Sequence, residues 1–203
     1  MTGKRKTILV TGFSPFPGAP INPTEMLMLR LPKRLGEHQF GVGFEFHVLP
    51  TTWAGRRQVT DKLRQSVRPN AIVHFGVDGT RKTLNVETRA VNRATRVRPD
   101  AAGLSPQRSE LVIGSERSRS ATLPAKALCE AAQHAGAPAR LSKDAGTYLC
   151  NATLWDSIGS GIPSIFVHVP ALPKSPGDTR PGYPVIEEAA VRLLQETARR
   201  LRS

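Results

Sequence analysis

The sequence predicts an α/β fold, a single-domain α/β/α sandwich with a mainly parallel central sheet. Three observations carry that prediction. Continuous apolar runs of strand length recur at residues 7–11, 71–75 and 165–170, the pattern of strands covered on both faces. Segments with apolar residues at helical spacing alternate with them, which implies helices crossing over between parallel strands. The chain has 203 residues, a length that suits one domain over 1–203 with a substantial core.

Residues 7–11 (Thr-Ile-Leu-Val-Thr) form the first strand, which ends at Gly12. Phe13 to Gly18 is too rich in proline for regular structure. Asn22-Pro23-Thr24 opens a helix to about Leu35, with proline in the first turn, where its missing N–H is not needed. Residues 42–49 alternate as a strand, 53–67 read as a helix, and 71–75 are a buried strand ending at Gly76. Residues 83–92 alternate and are expected to be extended. Residues 99–120 mix Pro, Gly, Ser and Arg in a loop, with one hairpin expected over 110–113. A helix over 123–134 carries Pro124 near its start and Cys129 among Ala127, Leu128, Ala131 and Ala132, a core setting. A short extended piece at 138–141 is followed by a helix over 147–157 and the strand at 165–170. The last helix, 183–202, has Ile186, Ala190, Leu193, Leu194, Thr197 and Leu201 in one stripe. Glu188–Arg192 and Glu196–Arg200 are i,i+4 pairs in the favourable order, and its closing arginines match the macrodipole.

Composition removes several function classes. The formal charge of +13 raises nucleic-acid binding. The basic residues are scattered, however, aromatic residues are few, and no RNA-stacking motif occurs, so no nucleic-acid partner is expected. No apolar run approaches the roughly 18 residues that span a bilayer, so no membrane partner is expected either. The segment Met1 to Lys6 lacks the apolar core and cleavage site of a signal peptide. Two cysteines give neither a disulfide framework nor a cysteine-rich zinc site. A cytoplasmic location would keep both thiols free.

Cys150 is the most informative residue. It lies in Asp144-Ala145-Gly146-Thr147-Tyr148-Leu149-Cys150-Asn151. Gly146 permits a sharp turn and Thr147 is a candidate helix N-cap. Cys150 then falls in the first helical turn, where the macrodipole favours a thiolate. Eighteen residues on, His168 sits near the end of an apolar strand. A lone cysteine is more often a small buried hydrophobe, and a lone strand histidine a satisfied core residue. Both of these lie beside backbone-bending residues at element ends, where function collects. A cysteine hydrolase also needs a group that orients the histidine. Glu87, in an extended and apolar-flanked stretch, is harder to read as surface than Glu187 or Glu196. Spacing alone leaves Glu87 and Asp144 as competitors.

Four blocks in order resemble the pyroglutamyl peptidase I (pyrrolidone-carboxylate peptidase) family of cysteine peptidases over nearly the whole chain. They are Ile8-Leu9-Val10-Thr11-Gly12-Phe13 with Pro15-Phe16 and Asn22-Pro23-Thr24; Glu87 with Ala90-Val91-Asn92; Ala145 to Asn151; and Phe166-Val167-His168-Val169-Pro170 with Leu172-Pro173. The resemblance implies a Cys150–His168–Glu87 triad that removes N-terminal pyroglutamate from peptides and proteins by thiol acyl transfer. Neither metal nor cofactor is implied. It also implies a substrate pocket lined by Phe13, Phe16, Tyr148 and Leu149, and a homo-oligomer, often a tetramer.

The chain departs from the family pattern at several places. Pro17-Gly18 stands for the usual Gly-Gly, Val77 for a glutamine, and Thr88 for the arginine after the glutamate. Val97 stands for a further arginine near the site, with Arg96 and Arg98 as candidate substitutes. In that role they would keep Glu87 ionised and raise the thiolate fraction of Cys150. The changes spare the triad and bear on efficiency and on how strictly pyroglutamate is recognised. They motivate one alternative, a cysteine amidase or peptidase of altered N-terminal specificity. Intact triad residues argue against an inactive binding scaffold.

Overall fold

Ile8, Leu9 and Val10 are wholly buried in the strand at the middle of the parallel part of the sheet, with a neighbour on either side. This is a computed structural model, and it describes residues 5–202. The segment Met1 to Lys4, which bears on the signal-peptide expectation, lies outside the described residues.

The elements follow in order as β1 (Thr7–Phe13), α1 (Pro23–Leu35), β2 (His38–Gln39), β3 (Val42–Leu49), α2 (Trp53–Val67), β4 (Ala71–Asp78), β5 (Leu84–Glu87), β6 (Arg89–Val91), β7 (Ser118–Ser120), α3 (Ala125–His134), β8 (Ala139–Ser142), α4 (Leu149–Gly159), β9 (Ser164–Pro170) and α5 (Tyr183–Arg202). Seven strands form one sheet in the order β2-β3-β1-β4-β9-β5-β8. Four of its pairings are parallel; β2 against β3 and β5 against β9 are antiparallel. Strands β6 and β7 pair separately.

Strand alternation sorts side chains between two helical layers. On one face Ile8, Val10, Val73, Ile165 and Val167 pack with Leu27 and Leu31 of α1, Leu128 of α3 and Leu193 of α5. On the other face Leu49 and Phe166 pack with Leu154 and Trp155 of α4. Two strands of this arrangement carry the site. Val167 and Val169 of β9 face the α1/α3/α5 layer, so Phe166 and His168 face α4. Leu84 and Val86 of β5 face the first layer too, which turns Asn85 and Glu87 toward α4. The β5–β9 register sets Asn85 opposite His168 and Glu87 opposite Phe166, so Glu87 and His168 are diagonal neighbours on one face.

Helix ends follow local chemistry. Asn22 caps α1 by accepting the Thr24 N–H at 3.0 Å, with Pro23 in the first turn. In α5, Glu188–Arg192 at 2.8 Å and Glu196–Arg200 at 2.6 Å are the expected i,i+4 pairs. Cys129 is 5% exposed, within the core. No helix of the described residues is long and apolar enough to cross a membrane.

Three expectations are corrected. The helix expected from Thr147 starts at Leu149 with Tyr148 as N-cap, because the Thr147 carbonyl instead accepts the Thr95 N–H at 2.7 Å. No hairpin forms over 110–113. The Leu111 and Val112 N–H groups are both taken by the Asn92 side chain at 2.9 Å, and the strand that does form, β7, pairs with β6. Glu187, read as a surface residue, is 5% exposed and buried against Arg30 and Arg34, with ion pairs of 2.9 and 3.1 Å. Two consecutive arginine-bearing turns of α1 reach across to it, a contact that sequence periodicity does not display.

Candidate active site

Cys150 is delivered by a turn, a helix start and a missing side chain. Gly146 has φ 75°, a left-handed conformation that other residues adopt at a cost. The Asp144 carboxylate accepts the Gly146 N–H at 2.9 Å and steadies the turn. Helix α4 then begins without a side-chain cap, so its first-turn amides are not consumed by one. Cys150 is half-buried at that end. Beneath it lies Gly76 of β4. A Cβ there would stand 3.1 Å from the Cys150 Sγ and 2.5 Å from the Phe166 ring, so only glycine lets the sulfur and the ring meet the strand at this level. Asn151 fastens the same end of α4. It accepts the Val91 N–H and donates to the Val91 carbonyl, both at 2.8 Å, and donates to the Arg93 carbonyl at 3.0 Å.

His168 and Glu87 are buried together. The Nδ1 of His168 is 2.8 Å from the Glu87 Oε1, and Glu87 is 0% exposed. The Cys150 side chain lies close enough to act on the imidazole charge. Burial works against a charged imidazole here. The Cys150 charge and hydrogen bond, followed by those of Glu87, overcome it and push the His168 pKa up to about 9. Phe166 packs at 4.8 Å from the His168 ring. Glu87, Cys150 and His168 therefore converge, whereas Asp144, the competing acid, is exposed and engaged with the Gly146 turn. Among the described residues no group of three or more His, Cys, Asp or Glu side chains could hold a metal ion.

The candidate pocket residues lie at different depths. Phe13 is 3% exposed, its ring 6.3 Å from Phe166. The Leu149 side chain is buried beside Leu154 and Trp155. Phe16 and Tyr148 are half-buried. Tyr148 meets Trp53 edge-on at 5.5 Å and donates its hydroxyl to the Pro99 carbonyl at 2.9 Å. The Arg98 guanidinium lies 4.6 Å from the Tyr148 ring and 5.8 Å from the Phe16 ring, a cation–π arrangement across both. Val97 points to solvent at 93% exposure.

Of the candidate arginines expected to reach the cleft, Arg98 stands over the Tyr148 and Phe16 rings. The guanidinium that meets Glu87 is that of Arg81, its Nη2 3.2 Å from the Glu87 Oε1, a residue that the sequence patterns did not single out. Arg81 also pairs through Nε with Asp78 at 2.8 Å. Asp78 and Asn151 were likewise missed. A polar residue on the buried face of an apolar helix was an available signal for Asn151. Nothing in periodicity pointed to Arg81, which matters only because four chain segments meet around it.

A family profile described as pyroglutamyl peptidase matches residues 6–198. The chain is 34% identical over 169 residues to the pyrrolidone-carboxylate peptidase of Thermococcus kodakarensis, covering 80% of each. It is 31% identical over 204 residues to pyrrolidone-carboxylate peptidase 1 of Ralstonia nicotianae, covering 96% of this chain and 93% of that one. The fold is similar to a solved mutant pyrrolidone carboxyl peptidase from Pyrococcus furiosus, with a TM-score of 0.84, 30% identity, and coverage of 96% of this chain and 99% of that chain. It is also similar to the pyrrolidone carboxyl peptidase from Thermococcus litoralis, with a TM-score of 0.85 at 26% identity, over 97% of this chain and 94% of that chain.

Proposed function

The chain belongs to the pyroglutamyl peptidase family of cysteine peptidases, and we propose that Cys150, His168 and Glu87 carry out its reaction, the removal of N-terminal pyroglutamate from peptides. The observation that carries this assignment is the buried His168–Glu87 bond of 2.8 Å, with Cys150 near enough to raise the charge on the same imidazole. In the mechanism, the Cys150 thiolate attacks the carbonyl carbon of the bond after the pyroglutamyl ring. The oxyanion that forms is met by the uncapped amides at the start of α4. His168, charged while paired with the thiolate, gives its proton to the leaving amine. Water then attacks the thioester with His168 as base, releasing pyroglutamate and restoring the thiol. Glu87 holds the imidazole with Nε2 toward sulfur and stabilises its charged form.

The pyroglutamyl ring is a small neutral lactam. Phe13 and Tyr148 pack in the same cluster as Cys150, and Phe16 is linked to Tyr148 through Arg98; aromatic walls of this kind suit such a ring. Leu149, with its side chain in the core, would take part through its backbone. The test is release of a chromophore from a pyroglutamyl amide, beside alanyl and glutamyl amides. Turnover confined to the first is expected. Equal turnover of all three would favour the altered-specificity reading that the replacements at Val77 and Val97 motivate.

A further inference from the structure

We propose that Arg81 is a positioning residue for the Glu87–His168 pair and that Asp78 is the counter-charge that lets a cation stand there without weakening the imidazolium. The proposal rests on the assignment of Cys150, His168 and Glu87 above.

The geometry starts from the acid. Glu87 is 0% exposed, and its Oε1 receives both the His168 Nδ1 at 2.8 Å and the Arg81 Nη2 at 3.2 Å. Its Oε2 is buried with no hydrogen-bond partner among the described residues. A carboxylate engaged through a single oxygen has little of its own to stop it rotating away from the imidazole. Arg81 supplies that restraint. Its side chain is 13% exposed and it reaches three further groups. Its Nε donates to the Asp78 Oδ2 at 2.8 Å, its Nη2 to the Asp144 carbonyl at 2.6 Å, and its Nη1 to the Ser142 Oγ at 3.4 Å. One planar fork thus joins the ends of β4, β5 and β8 to the loop that leads into the Cys150 helix. Acid and nucleophile loop are set by the same guanidinium.

A lone cation beside the site would oppose the charged form of His168. Asp78 answers it. Burial raises the Asp78 pKa, but hydrogen bonds from Thr80 and Arg81 and the charge of His168 hold it down to about 2, so it is anionic at neutral pH. The charged and titratable groups facing His168 are then Cys150 from α4, Glu87 from β5, Asp78 from β4 and Arg81 from the β4–β5 turn. Two anions other than the thiolate and one cation surround the imidazole.

The pH profile of Cys150 alkylation by iodoacetamide, followed by mass spectrometry on the substrate-free enzyme, tests this without needing turnover. The alkaline inflection reports loss of the imidazolium, which stands at about 9 in this fold. Asp78→Asn leaves Arg81 unopposed and should move that inflection down by roughly one pH unit; Arg81→Met removes the cation and should move it up. Arg81→Lys keeps the charge without the fork. It should leave the inflection near its original place and lower kcat by about tenfold or more with KM little changed. Opposite shifts are a signature that simple loosening of the fold does not produce. If Arg81→Met does not fold, the Asp78→Asn shift still decides. Inflections that stay in place, or that move in the same direction in both variants, would overturn the proposal. Failure of the unaltered protein to turn over a pyroglutamyl amide, with the opposite shifts still present, would instead strike the substrate assignment alone.

Discussion

Cys150 and Cys129 are the same residue type in two environments, and the difference between them is the chemistry. Cys129 is 5% exposed, and burial, helped by the Glu130 charge, raises its thiol pKa. Cys150 is half-buried, opens a helix and faces His168. Thiol reactivity follows thiolate fraction and access, so iodoacetamide should modify Cys150 roughly 100-fold faster than Cys129 at neutral pH. Cys150→Ser should fold normally and lose about 1000-fold or more in turnover, while Cys129→Ala should stay active. Peptide mapping and rate measurements check both; an inactive Cys129→Ala beside an active Cys150→Ser would remove the assignment. At this scale the sequence was informative where function coincides with local punctuation. Cys150 follows a glycine turn, and His168 ends an apolar run. Glu87 could not be separated from Asp144 by spacing, because the choice depends on which strand lies beside β9. Arg81 was invisible for the same reason, since its partners come from Asp78, Glu87, Ser142 and Asp144.

Among elements, α4 carries the site, and its hold on the rest of the molecule is concentrated at Asn151. That side chain is 0% exposed and takes both the N–H and the carbonyl of Val91, making it a substitute strand partner for β6. Removing it leaves part-buried backbone groups without that partner. Asn151→Ala should therefore cost about 3 kcal/mol of stability, from the lost bonds and the unsatisfied groups left behind. It should also slow Cys150 alkylation, because the helix start is no longer fixed over Gly76. A denaturant titration beside the alkylation rate checks this. A variant with unchanged stability would mean that water satisfies Val91 as well as Asn151 does. Element existence was readable from periodicity: β1, β4, β9 and α5 stand where the apolar runs put them. Ends and pairings were less so. The start of α4 depends on Thr95 capturing the Thr147 carbonyl, and the missing hairpin depends on Asn92 capturing two amides. Both are side-chain or loop contacts between segments distant in sequence, where no local pattern records them. The antiparallel placement of β5, which brings Glu87 to His168, is of the same kind.

For the molecule as a whole, the charge of +13 is partly neutralised in place. Arg30 and Arg34 pair with Glu187, Arg56 with Asp156, and Arg199 and Arg200 with Glu196. The pairs of Arg199 and Arg200 with Glu196 lie at the surface and add little stability, whereas Glu187 and Arg56 are buried. Larger pH effects come from two buried histidines of opposite character. His74 is 0% exposed and joins three elements, its Nδ1 2.6 Å from the Thr11 hydroxyl of β1 and its Nε2 2.8 Å from the Ser157 hydroxyl of α4. Burial, then the charges of Arg64 and Arg56, lower its pKa from 6.5 to about 3. The unfolded chain therefore gains a proton below about 6.5 that the folded chain refuses, and stability falls as pH drops through that window. His168 behaves in the opposite sense. Its folded pKa of about 9 exceeds its ordinary 6.5, so the stability it contributes is complete below 6.5 and is lost as pH rises through 9. Between pH 5 and 6 His168 is largely protonated in both states, so it leaves the His74 slope nearly unopposed. There the stability of the unaltered protein should fall by about 1.4 kcal/mol per pH unit at most, and His74→Asn should flatten that slope. Between pH 7 and 9.5 it should fall again, and His168→Gln should flatten that limb while leaving the acid limb alone. Denaturant titrations across pH read both slopes. An acid limb that survives in His74→Asn would show that another group takes up the proton, and an alkaline limb that survives in His168→Gln would show that the imidazole is not held charged by Cys150 and Glu87.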